Sequence, residues 1–192
     1  MSTPSDPGIS REKALALLMK HLKNEKLVFH CIASEAIMRE LASKFTENPE
    51  IWGMAGLLHD IDYEMTGGDP SRHGREGASL LLKHGISPDI AHAIEKHNAE
   101  GLGLERSTVF EHALACAETI TGMITATALI YPDQKLASVK PTSVIKRMKS
   151  PQFARSVSRE IIMECETIGI PLPEFVALSL KAMSGVAETI GL

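Results

Sequence analysis

Aromatic side chains are scarce in this chain, where Phe, Tyr and Trp make up 4% of 192 residues. A core with so few rings has to be built from Leu, Ile, Ala and Met, which suit helices better than sheets. Cysteine is limited to Cys31, Cys116 and Cys165, far apart, odd in number and without a C-x-x-C pair. That excludes a zinc knuckle and a disulfide framework, and free thiols agree with a reducing cytoplasm. No apolar run approaches the ~20 residues needed to span a bilayer. The opening MSTPSDPGISREK has no apolar signal core. No membrane association is expected, and the expected location is cytoplasmic. A net charge of −4 provides no general basic surface, so no stable nucleic-acid complex is expected. Walker loops, G-x-G-x-x-G and G-x-S-x-G are all missing, which excludes a Gly-rich phosphate cradle and a serine-hydrolase elbow.

Helical periodicity is present instead. Residues 1–9 read as a loose leader. Ser10 is placed to cap a helix from about Arg11 to Leu22. Asn24 marks a break before a second helix, Glu25 to Phe45. Asn48-Pro49 starts a short apolar helix, Glu50 to about His59. Turn chemistry at 61–72 (Thr66-Gly67-Gly68-Asp69-Pro70) predicts a loop. Helices follow over about Arg72–His84 and, after Ser87-Pro88-Asp89, up to His97-Asn98. Residues 99–107 read as loop and Thr108 to about Ile130 as a long helix. Segments near Pro141–Met148, Pro151–Ile168 and Pro173–Ile190 complete the chain. With no strand alternation and no repeat, the fold class is all-α: a single helical domain over 1–192, with a core at 10–131 and a C-terminal extension at 132–192.

The first residues to suggest chemistry are His59 and Asp60. They end the apolar helix IWGMAGLLHD. An ionised carboxylate is costly to bury without a cation or hydrogen bonds. A helix C-terminus favours His59 but disfavours Asp60. A metal ion resolves that conflict by bringing positive charge to the place where carbonyls and Asp60 converge. Other candidates share the setting. His30 lies among apolar neighbours in LVFHCIAS, and His97 closes AHAIEKHN. Glu118 is a carboxylate in the apolar stretch ALACAETITG. His73 stands at a predicted helix start, where the dipole disfavours imidazolium and leaves a neutral, metal-binding ring. His21 and His84 fall near helix C-termini, where His is common. His92 faces away from His97, and His112 is expected to be solvated or packed.

The order His30, His59-Asp60, His73, His97 and then an acidic residue resembles the metal signature of the HD-domain superfamily of metal-dependent phosphohydrolases. GLLHDID resembles that family's A-x-L-L-H-D-I-G segment, RHGREGASLL its following H-x-x-x-G-A helix, and IAHAIEKHN the stretch before its next His. The resemblance covers about residues 27–125 and implies an HD-like helical bundle. It also implies one or two divalent transition-metal ions. The first would be held by His30, His59, Asp60 and Glu118, and the second by His73 and His97 with Asp60 as the bridge. Imidazole and carboxylate ligands suit Fe, Mn, Zn, Co or Ni without choosing among them. Two departures stand out. Glu118 occupies a position where the family usually has Asp. Asp62 replaces a frequent Gly, and is read as a turn residue or a partner of a ligand.

The activity implied is hydrolysis of a phosphomonoester or nucleotide by a metal-activated water, with Asp60 as the catalytic residue. Arg72 and Lys96, adjacent in sequence to His73 and His97, are candidate phosphate-binding groups. Lys140 and Lys146, in the basic stretch SVKPTSVIKRMKS, are two more, although such a stretch is also an ordinary solvated face. Two alternatives remain open: a di-iron oxygenase with the same ligand set, and a sensor module that binds metal or nucleotide without turnover. The apolar C-terminal helix, with Leu178, Leu180, Met183, Val186 and Ile190, either completes the core or packs against a partner in a homo-oligomer.

Overall fold

A computed structural model of the chain describes residues 6–192. Of the expected leader, residues 1–5 lie outside the described residues. Just after them, Pro7 accepts a backbone hydrogen bond from Ser87 and Ile9 packs on the core.

Side-chain caps set where the first helices begin. Ser10 caps α1 (Arg11–His21), Asn24 caps α2 (Glu25–Phe45), and Asn48 caps α3 (Pro49–Leu58), each accepting from a backbone N–H of the first turn. A four-residue helix, α4 (Tyr63–Thr66), lies in the predicted loop and leads to α5 (Arg75–Lys83) and α6 (Pro88–His97). A second short helix, α7 (Ala99–Leu102), precedes α8 (Val109–Leu129). At the start of α8, Thr108 and Glu111 bond reciprocally to each other's backbone N–H. After a 3-10 turn at Leu136–Ser138 come α9 (Pro141–Met148), α10 (Arg159–Thr167) and α11 (Leu172–Ser184). No strand occurs among the described residues.

The long α8 is buried nearly all round and packs against α2, α3, α6, α9, α10 and α11. Buried apolar side chains form one continuous cluster from Ala14 in α1 to Ile190 beyond α11. Leu180, Met183 and Ile190 belong to it, so this C-terminal face completes the core. Arg106 fastens the C-terminal helices to the middle of the chain. Its guanidinium is paired with Glu164 of α10 at 2.6 and 2.8 Å, and it also donates to the carbonyls of Lys96 and His97 that end α6.

Three helix boundaries differ clearly from those predicted. The helix expected at Pro173–Ile190 ends at Ser184, and turns follow over 185–191. The expected helix at Pro151–Ile168 begins only at Arg159. The Arg159 guanidinium gathers the carbonyls of Ser150, Phe153, Ala154 and Val157, so residues 150–157 form turns around a side chain instead of a helical ladder. The expected helix at Arg72–His84 begins at Arg75, because Gly74 takes φ +86° and its N–H goes to Asp62.

The closest helix contact positions the centre described below. Gly56 of α3 lies against the backbone of α2, where a Cβ would come within 2.7 Å of the Ser34 carbonyl oxygen and 2.8 Å of the Glu35 nitrogen. Backbone cannot yield as a side-chain tip does. Gly56→Ala is therefore expected to cost about 1–3 kcal/mol by overpacking, read as a lower urea midpoint with unchanged slope.

Candidate metal centre

Four helices or helix ends bring imidazoles to one carboxylate. His30 comes from the second turn of α2, and His59 is the residue that stops α3. His73 precedes α5, and His97 is the last residue of α6. Their Nε2 atoms converge on Asp60. Oδ1 is 3.6 Å from His59, 3.2 Å from His73 and 3.6 Å from His97, and Oδ2 is 3.7 Å from His30. Between rings, Nε2 atoms lie 3.0 Å apart for His30 and His59, and again for His73 and His97. Two three-residue sets follow, His30–His59–Asp60 and Asp60–His73–His97. In each, the ligand atoms all lie within 4.8 Å of one another, close enough to hold a metal ion. Asp60 belongs to both.

Each ring is turned by its other nitrogen. His59 Nδ1 donates to the Gly56 carbonyl at 2.8 Å and His97 Nδ1 to the Ile94 carbonyl at 2.5 Å. His73 Nδ1 donates to Asp62 at 2.8 Å. His30 Nδ1 donates at 2.7 Å to the Thr121 hydroxyl, whose own proton goes to the Glu118 carbonyl. A proton held at Nδ1 leaves Nε2 with its lone pair aimed inward, the orientation that metal-ligating histidines require.

The fully buried Asp62 does more than turn the chain. Besides His73 it accepts the backbone N–H of Gly74 at 2.9 Å and of Gly77 at 2.6 Å, the latter an unpaired donor of the first turn of α5. A Cβ on Gly77 would sit 3.0 Å from the Asp62 carboxyl carbon, so this glycine makes room for the contact. Asp62 thus orients a ligand and caps a helix at once.

The charges agree with a cation at the centre. Burial drives the His59 pKa down to about 3, so the ring is neutral and its Nε2 is an acceptor. Burial works against the Asp60 carboxylate, but the imidazoles of His59, His73, His97 and His30 outweigh it and hold the pKa well below the ordinary range. With no ion present, burial lowers the His73 pKa, but the hydrogen bonds it donates to Asp60 and Asp62 more than compensate and raise it to about 9. A divalent ion at Nε2 would take the place of that proton, because an imidazole binds metal only in its deprotonated form. Imidazole nitrogens and a carboxylate oxygen match first-row divalent ions.

Glu118 stands at the edge of this arrangement, with Oε2 at 3.8 Å from His30 Nε2 and burial raising its carboxyl pKa. The basic candidates fall elsewhere. Arg72 is exposed and paired with Glu76 at 2.6 Å. The Lys96 ammonium turns to the buried Glu111 at 3.1 Å. Lys140 and Lys146 are exposed at the start and on the surface of α9, without an ion pair among the described residues. Of the remaining histidines, His92 lies 3.5 Å from Glu111 and His112 donates to Glu164 at 2.7 Å. Thr121 was not anticipated from the sequence. Its only signal is its place one turn after Glu118.

This arrangement agrees with the family comparison. A family model described as HD domain matches residues 27–118, the span from just before His30 to Glu118. Residues 27–118 are an HD domain. Among curated proteins, the chain is similar to an uncharacterised protein of Methanocaldococcus jannaschii, 35% identical over 101 residues, covering 50% of this chain and 58% of that one. Similarity extends to ribonuclease Y of Symbiobacterium thermophilum, 32% identical over 101 residues, 50% of this chain and 18% of the relative. Ribonuclease Y of Opitutus terrae is 24% identical over 98 residues, again 18% of its length. The chain thus spans just over half of the first relative's length and under a fifth of the other two. No solved structure gives a significant match. No helix among the described residues is long and apolar enough to cross a membrane.

Proposed function

We propose that this protein is a metal-dependent phosphohydrolase acting on a phosphomonoester or nucleotide. The observation that carries the proposal is the sharing of Asp60 by two imidazole pairs, each of which could hold a metal ion with it. A bound divalent ion would lower the pKa of a water molecule and polarise a phosphoryl oxygen. The protein's own residues supply the rest. Asp60 stays ionised and bridges the two halves. His59, His73 and His97 are held with Nε2 inward by acceptors that cannot drift. His30 is the most exposed of the four rings, and a substrate would approach past it.

The test is phosphate release from a broad panel of phosphomonoesters and nucleotides by protein loaded in turn with Mn, Fe, Zn, Co or Ni. Cleavage of at least one class, lost on chelation, is the expected result. Dioxygen consumption by the iron-loaded protein, with no phosphoester cleaved, would overturn the proposal. So would tight nucleotide binding without turnover.

Glu118 gives a sharper expectation. Its one close ligand contact is with His30, so Glu118→Ala is expected to weaken the ion at His30–His59 and spare the one at His73–His97. Elemental analysis of the variant should show one ion lost and the other retained. Metal loading is also expected to stabilise the fold, by about 2.7 kcal/mol at a free-ion concentration a hundredfold above Kd, seen as a rise in the thermal midpoint that chelator reverses.

A further inference from the structure

A cavity of about 460 Å³ opens beside the metal centre and shares two residues with it, His30 and Thr121. Its size falls within the ~300–1,000 Å³ typical of small-molecule sites. Its walls differ in kind from the centre. Phe29 and Ala33 of α2 face Gly122, Ala126 and Leu129 of α8, and Ile190 and Leu192 close the far side. Among the described residues lining it there is no acidic side chain, no side-chain amide and no arginine.

We infer that this cavity holds the apolar body of a phosphomonoester whose single phosphoryl group is placed between Lys26 and the metal centre. The inference rests on the phosphohydrolase reading and narrows its substrate class. Three observations lead to it. Lys26 lies one helical turn before His30, on the same face of α2, and its ammonium has no ion pair among the described residues. Arg72 and Lys96, by contrast, are engaged by Glu76 and Glu111. One free cation at the mouth suits one phosphoryl group and leaves the further charges of a di- or triphosphate unmatched.

The polar capacity of the walls is also small. A nucleobase brings several donors and acceptors that must be paired when buried. The side chains here offer the hydroxyls of Thr121 and Thr125. The Thr121 hydroxyl already donates to the Glu118 carbonyl and accepts from His30. An aryl or branched alkyl group makes no such demand, and its burial against Phe29, Ala126 and Leu129 is favourable in proportion to area. A substrate so held presents its phosphate past His30, the most open ligand ring.

The test pairs turnover with binding. Metal-loaded full-length protein is given 1-naphthyl phosphate, glycerol 2-phosphate and adenosine 5′-monophosphate. Separately, calorimetry measures the binding of 1-naphthylphosphonate and methylphosphonate, which cannot be hydrolysed. The naphthyl compounds are expected to lead by about tenfold or more in kcat/KM and in affinity. Ala126→Phe, which fills the cavity, should abolish that lead and leave methylphosphonate binding unchanged. Lys26→Gln should weaken both phosphonates alike. Equal affinity for the two phosphonates, or an Ala126→Phe variant that keeps the preference, would overturn the inference even if phosphoesters are cleaved. A preference for the adenosine compound would overturn it too. Tight naphthylphosphonate binding that Ala126→Phe removes, with no compound cleaved, would instead uphold the cavity's role and remove the phosphohydrolase reading.

Discussion

Asp60→Asn is expected to empty the metal centre and to lower phosphoester cleavage by about a thousandfold or more. Asn keeps the shape of Asp but loses the charge, and one of its two oxygens becomes an N–H donor aimed at ring nitrogens. The wild-type carboxylate faces four imidazoles within 3.7 Å. Both ligand sets include it, so no ion position survives intact without it. Metal ions contribute several kcal/mol of transition-state charge stabilisation, and each 1.36 kcal/mol is tenfold in rate. Elemental analysis and phosphate release measure the two effects, and circular dichroism checks the fold. A variant that retained its metal and its activity would show that Asp60 is a bystander.

The second large effect is expected at a residue that touches no ion. Asp62→Ala removes the acceptor for His73 Nδ1 and for the N–H groups of Gly74 and Gly77, all of them buried. Each buried donor left unpaired costs about 1–3 kcal/mol, so a marked fall in the urea midpoint is expected. The ring of His73 is also released, and loss of such an orienting partner typically weakens metal binding about 10–100-fold. Chelator competition reads the affinity separately from stability. A destabilised variant with wild-type affinity would reduce Asp62 to a helix cap. Asp62→Asn, which keeps one acceptor oxygen, should fall between wild type and Asp62→Ala in both measurements.

Much of this architecture is legible in local patterns. Ser10, Asn24, Asn48 and Thr108 mark helix starts because a side-chain oxygen at that place has an unpaired N–H to accept. The boundaries of α2 and α9 follow from the sequence to the residue. His59-Asp60 stands out because an acid at the end of an apolar helix demands a reason. What local pattern does not reveal is pairing across the chain. Thr121 meets His30 across 91 residues and Asp62 meets His73 across 11, and no periodicity encodes either contact. Arg159 likewise replaces a predicted turn of helix with a shell of carbonyls, a choice visible only once the side chain is placed. Lys26 is a different case. Its i, i+4 relation to His30 is present in the sequence, whereas adjacency to His73 and His97 points to Arg72 and Lys96, whose charges are used elsewhere.

The rings of His59 and His97 are both held by a carbonyl three residues earlier, at the point where their own helices stop. Those carbonyls are free to accept because a helix end leaves its last carbonyls without intrahelical partners. The aim of the two deepest ligands is therefore an outcome of punctuation. Moving the full stop of α3 or α6 by a residue would re-aim an imidazole without altering a single ligand, and grafting the centre onto another bundle would mean copying where the helices end as well as which residues they carry.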